Sequence, residues 1–143
     1  MREITKEEIE KGREGALVPG DFAWFPVIDS TNEEAKRRAG DGAGDFSLYV
    51  AGGQTRGKGR KGRTWSSPEG DDLYFSILLR PDIPAESASM ATLVAALAAA
   101  RTAGKYAGEA CMIKWPNDIV LHSKKICGIL TEASTEHGRL RWM

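Results

Sequence analysis

Gly52-Gly53-Gln54-Thr55-Arg56-Gly57-Lys58-Gly59-Arg60-Lys61-Gly62-Arg63-Thr64-Trp65 packs five glycines and five cationic side chains into fourteen residues and closes on a tryptophan. Glycine at this density excludes a helix, since each costs roughly 1 kcal/mol relative to alanine. The stretch also offers no apolar residue before Trp65 from which to build a strand face. Its chemistry suits an anion. Glycine lets backbone N–H groups approach closely and adopt φ > 0, while Lys and Arg add charge and forked donors. A solvated basic linker is the other reading of the same composition. The flanking segments are needed to choose.

The chain has 143 residues, 41% hydrophobic and 28% charged, which suits one globular domain with length enough for a core. Twenty Lys and Arg balance twenty Asp and Glu, so no global field draws it to DNA or membrane. Six of those cations lie between Arg56 and Arg63 or at Arg80. A local cationic site in a neutral chain points to a small anionic ligand rather than a polymer. Cys111 and Cys127 form no C-x-x-C pair and sit among apolar residues, as reduced core cysteines do. With no signal-type apolar segment at the N-terminus, the expected location is cytoplasmic. His122 and His137 lack metal-ligand spacing, so no metal site is expected. The apolar run from Met90 to Ala100 is too short to span a bilayer.

Working outward from the basic stretch, Phe46–Ala51 reads as the strand that delivers the chain into it. Leu73–Leu79 reads as a strand apolar enough to be buried on both faces, ended by Arg80-Pro81. Thr5-Lys6-Glu7-Glu8 is a capping box opening a helix over residues 6–14, with Ile4 and Ile9 on its apolar face. Ala23–Ile28 is a strand whose Pro26 places it at an edge or bulge. Ser30 and Glu33 form a second capping box for a helix reaching about Arg38. A helix over Ala85–Ala103 carries Met90, Leu93, Val94 and Leu97 as a core stripe and stops at Gly104. Ala110–Trp115 is a strand. Ile119–Leu121 and Lys125–Glu132 make a hairpin about a His122-Ser123-Lys124 turn, and Arg139–Met143 begins a further strand after the turn at Glu136-His137-Gly138.

Ser30-Thr31-Asn32 bears on the loop's purpose. Ser, Thr and Asn before a helix are most often caps, yet three consecutive hydrogen-bonding side chains exceed what one cap needs. A helix N-terminus also presents free N–H groups to a polar ligand.

The order of motifs resembles the catalytic domain of the biotin–protein ligase family. The resemblance rests on Ser30-Thr31-Asn32, then Gln54-Thr55 before a Gly/Arg loop ending at Trp65, then Ser67-Pro68, Leu73-Tyr74 and Arg80-Pro81. It is completed by Lys114-Trp115-Pro116-Asn117-Asp118 and Lys125-Ile126-Cys127-Gly128-Ile129-Leu130. It implies an α+β fold with a mixed, largely antiparallel sheet packed by helices, like a class II aminoacyl-tRNA synthetase. It implies that ATP, with Mg2+, activates biotin to biotinyl-5′-AMP, and that biotin then passes to one lysine of a biotin carboxyl carrier domain. It implies a biotin site of Ser30, Thr31, Asn32, Gln54, Lys58, Gly59, Arg60 and Lys114. Lys114 and Arg60 are the implied catalytic residues, and Arg60, Arg63 and Trp65 the implied nucleotide contacts. A homodimer is left open.

Charge logic agrees with those roles, because carboxylate attack on an α-phosphate needs cationic donors where charge develops. Each residue keeps a plainer alternative. Lys114 can be an ordinary edge lysine, Trp65 can be core, and Asn117 and Asp118 are turn-formers first. Arg56 stands where the family often has a small residue, and Lys58 where arginine is frequent; lysine lacks the planar fork. Few residues precede the first strand, so no winged helix is expected. The chain reads as a single domain, the front and centre of a catalytic domain truncated before its C-terminal β-domain. A lipoate or octanoyl ligase and an inactive biotin-binding fragment are the competing functions. A nucleic-acid binder fits least, with no aromatic among the cations.

Overall fold

Thr5 opens the first helix as its capping box dictates. Its Oγ1 accepts from the Glu8 N–H at 3.3 Å, and Glu8 Oε2 accepts from the Thr5 N–H at 3.1 Å. The computed structural model describes residues 5–13, 20–70 and 72–143. Among them it has helices α1 (Lys6–Arg13), α2 (Thr31–Gly40) and α3 (Ala88–Ala107). Its strands are β1 (Phe22–Ile28), β2 (Ser47–Gln54), β3 (Tyr74–Leu78), β4 (Met112–Lys114), β5 (Asp118–Leu121), β6 (Lys124–Gly128), β7 (Ser134–Glu136) and β8 (Arg139–Trp142). Ile4 and residue 14, assigned to the first helix from sequence, lie outside the described residues.

The chain divides into two compact units, one running up to Pro81 and including Trp142–Met143, the other spanning Asp82–Arg141. In the first unit β1, β2 and β3 form one sheet in that order, with β1–β2 parallel and β2–β3 antiparallel. β1 is an edge strand, the position Pro26 requires because it cannot donate to a ladder. α2 packs on the sheet through Ala35 and Ala39, which meet Tyr49 and Leu78 in the core, with Phe25 and Trp142 against them. Arg80 finishes that helix: its guanidinium donates to the Ala39 and Ala43 carbonyls at 2.8 Å each, satisfying acceptors a helix C-terminus leaves open. In the second unit β4, β5 and β6 form an antiparallel sheet, and β7 and β8 a two-stranded one. The fold is therefore α+β with mixed, largely antiparallel sheets.

Several expectations need correction. β2 does not end at Ala51 but runs through Gly52, Gly53 and Gln54, so the glycine stretch begins as strand. Gly52 can do this because it lacks a side chain: a Cβ there would lie 2.8 Å from the Pro26 carbonyl oxygen. β3 is buried on one face only, with Tyr74, Ser76 and Leu78 inward and Phe75 and Ile77 half-exposed. α3 passes through Gly104 and ends at Gly108, whose φ of 73° supplies the left-handed residue that terminates helices. Gly104 instead lets the Glu109 carbonyl pass close, 2.9 Å from where its Cβ would stand. The buried residues of α3 are Ala96 and Ala100, while Met90, Leu93, Val94 and Leu97 are exposed. An i, i+4 alanine pair presents a flat seam that other backbone can approach, which the larger residues do not.

The β5–β6 hairpin turns at His122 and Ser123, both with positive φ (48° and 62°), as a two-residue turn matched to strand twist requires. Its second strand stops at Gly128, short of the expected Glu132. Asn117 ties the base of the hairpin, giving its side-chain N–H to the Ile129 carbonyl at 2.9 Å and accepting the Ile129 N–H at 2.9 Å.

Candidate functional site

Ser30 occupies the N-cap of α2 in extended backbone (φ −163°, ψ 134°), but its side chain makes no capping hydrogen bond. The Ser30–Glu33 capping box expected from sequence does not form. Asp29 takes the Ser30 N–H at 2.7 Å, and Glu33 is drawn to Lys36 and Lys58. The plain capping explanation for Ser30-Thr31-Asn32 therefore fails, and a buried hydroxyl is left uncommitted to the helix.

The next two residues join a network across the sheet. The Thr31 N–H donates to Gln54 Oε1 at 2.8 Å, and Thr31 Oγ1 lies 3.2 Å from the same oxygen. Gln54 Nε2 donates to Ser67 Oγ at 3.0 Å, and Ser67 donates to the Trp65 carbonyl at 3.3 Å. Ser76 Oγ, on the buried face of β3, lies 2.9 Å from Thr31 Oγ1 and donates to Asn32 Oδ1. Thr31, Asn32 and Gln54 thus belong to one constellation with Ser30 beside it. Ser67 and Ser76 were not singled out as site residues from sequence. The available signal was a serine in the middle of the most apolar strand, where a hydroxyl must find a partner.

The basic loop is a folded excursion rather than a linker. Its outward arm continues beside β1: the Thr55 and Arg56 N–H groups donate to the Ile28 and Asp29 carbonyls at 2.9 and 2.8 Å. Lys58 and Thr64 pair antiparallel, Gly59 N–H donates to the Arg63 carbonyl at 2.7 Å, and Arg60–Gly62 form a tight turn. Gly57 is buried, with its carbonyl accepting the Trp65 N–H at 2.8 Å. Trp65 is half-buried on the returning arm and stands outside the buried core. Arg60 and Arg63 are exposed at the turn.

Acidic residues at the start of α2 hold the loop's first two cations. Both terminal nitrogens of Arg37 bond Asp29, at 2.9 and 3.0 Å, and Arg56 reaches the same carboxylate at 3.1 Å. These bonds, Arg37 foremost, hold Asp29 well below the ordinary carboxylate range and raise Arg37 above the ordinary range for arginine. Glu33 is lowered by its hydrogen bonds to Lys36 and then Lys58. For Glu34 burial opposes ionisation, but bonds from Arg38 at 2.7 Å and Arg37 at 2.9 Å win, and it too is lowered. Arg56 and Lys58, the two departures from the family pattern, each have a carboxylate partner here.

Lys114 lies in the second unit, at the end of β4 opposite Asp118, and is exposed. Asp118 itself is paired with Lys125 at 2.8 Å.

The Biotin/lipoate A/B protein ligase family matches residues 24–140 of this chain. The chain belongs to that family. It is 38% identical over 138 residues to the bifunctional ligase/repressor BirA of Bacillus subtilis strain 168, covering 96% of this chain and 42% of that protein. It is 41% identical over 108 residues to a biotin–[acetyl-CoA-carboxylase] ligase of Paracoccus denitrificans, covering 74% of this chain and 44% of the relative. Among solved structures it resembles the Aquifex aeolicus biotin protein ligase in complex with biotin and ATP. That likeness has a TM-score of 0.67 and 32% identity, over 84% of this chain and 49% of the other. The chain thus spans less than half the length of these relatives. Among the described residues no helix is long and apolar enough to cross a membrane.

Proposed function

We propose that this family member carries part of a biotin–protein ligase catalytic domain. In this reading it activates biotin with ATP and passes it to a lysine of a biotin carboxyl carrier domain, in the cytoplasm. The observation that carries the proposal is the Thr31–Gln54–Ser67 chain with Asn32 and Ser76, set at a helix N-terminus where polar side chains are not spent on capping. Such a cluster suits a small polar head group, and the cationic loop that follows suits an anion.

In the first step a biotin carboxylate oxygen attacks the α-phosphorus of ATP, forming a P–O bond while the bond to pyrophosphate breaks. In the second the carrier lysine's amine attacks the acyl carbon, an amide forms, AMP departs and the amine proton goes to solvent. Ser30, Thr31, Asn32 and Gln54 hold biotin. Lys58, Gly59 and Arg60 close over it, Arg60 and Arg63 meet the phosphates and Trp65 the adenine. Lys114 and Arg60 offset charge on the reacting groups, an electrostatic role that needs no nucleophile. For Lys58 this requires leaving Glu33. In this reading Mg2+ arrives with the ATP phosphates.

Incubating the chain with labelled biotin and Mg-ATP tests the reading, with biotinyl-AMP as the expected product. Biotin binding without adenylate leaves a binding fragment, and absence of biotin binding overturns the proposal.

A further inference from the structure

β3 alternates, so its inward face is Tyr74, Ser76 and Leu78. A hydroxyl between those two large side chains is costly unless it is hydrogen-bonded. Ser76 is only 7% exposed, and both its partners lie on the first turn of α2 rather than on a neighbouring strand. One acceptor would satisfy it; it engages two consecutive residues of the candidate ligand cluster. Its hydrogen goes to Asn32 Oδ1, which decides which end of the Asn32 amide faces the strand. Its oxygen stands 2.9 Å from Thr31 Oγ1, whose other neighbour is Gln54 Oε1.

From this geometry we infer that Ser76 is a positioning residue for biotin recognition. It does not touch the ligand. It holds the Thr31 hydroxyl and the Asn32 amide in the orientation that meets the polar ureido ring, using β3 as a rigid support beneath the first turn of the helix. The inference rests on the biotin reading above.

The test measures biotin affinity by calorimetry for the chain, Ser76→Ala, Ser76→Cys, Asn32→Ala and the Ser76→Ala/Asn32→Ala pair, with thermal unfolding of each. Ser76→Ala should weaken biotin about tenfold, the usual cost of freeing one buried partner. Ser76→Cys, which keeps size and a weak donor, should recover part of that loss. With Asn32 already replaced, losing Ser76 should cost less than about twofold, because a residue acting through another is not additive with it. Unchanged affinity in Ser76→Ala overturns the inference, as does an equal loss with and without Asn32. Failure of both Ser76 variants to fold marks a purely structural serine and overturns it as well. If the unaltered chain binds no biotin, the proposed function itself falls, a result distinct from the others.

Discussion

Gly57→Ala is the sharpest perturbation of the loop. A methyl at Gly57 would stand 2.4 Å from the Trp65 carbonyl oxygen, 2.5 Å from Ser67 Oγ and 3.3 Å from Gln54 Nε2. Carbon–oxygen contacts settle at roughly 3.3 Å or more, so the two arms of the loop must part by about 1 Å. That separation breaks the Trp65 N–H bond to the Gly57 carbonyl and pulls Ser67 from Gln54. Two hydrogen bonds at about 1 kcal/mol each, plus about 1–2 kcal/mol of overpacking, give a loss of about 3–4 kcal/mol. With a urea m-value near 2 kcal/mol/M, the unfolding midpoint should fall by roughly 1.5–2 M. Calorimetry should show biotin binding weakened about tenfold, since Gln54 loses the partner that steadies its amide. A midpoint within about 0.3 M of the parent, together with unchanged affinity, would refute the claim that the loop closes through Gly57.

Asp29→Asn should destabilise the chain at neutral pH by about 1–2 kcal/mol, a figure already discounted for the exposure of its arginine partners. Because Asp29 is held below the ordinary carboxylate range, chiefly by Arg37, its contribution is complete above about pH 4 and fades as pH falls further. Urea titrations at pH 7 and in acid should therefore show the gap between parent and variant closing only in acid. A gap independent of pH would discard the pairing as its cause. Lys114→Ala should abolish biotinyl-AMP formation while changing unfolding by no more than about 0.5 kcal/mol, as suits an exposed side chain. A large stability loss would instead make Lys114 structural.

The features read correctly from sequence were those whose causes are local. Thr5 and Glu8 close their box because, three residues apart at a helix start, each side chain reaches the other's main-chain N–H. Pro26 lies on an edge strand, one of the few places that tolerate its missing N–H. The second capping box failed because Asp29, one residue earlier, captures the Ser30 N–H, and Glu33 has two lysines for partners, one of them 25 residues away. Ser76 and the Gln54 bond of Ser67 escaped for the same reason, since those partners come from other elements that no spacing rule connects. The stripe on α3 was a periodicity argument, and periodicity says which residues share a face without saying which face is covered. Gly104 and Gly108 are indistinguishable as letters; only the backbone angle at Gly108 decides which one ends the helix.

The run from Thr31 through Gln54 and Ser67 to the carbonyl of Trp65 begins on a peptide donor and ends on a peptide acceptor. Its polarity is therefore fixed by main chain, which substitution cannot invert. Gln54 must turn its oxygen to Thr31 and its nitrogen to Ser67; the flipped amide would set donor against donor at the first junction. Any molecule that settles here meets side chains whose proton sense was decided when the chain folded. A compound with donors and acceptors exchanged must break that order before it can bind, and so pays an entry cost unrelated to its size or shape.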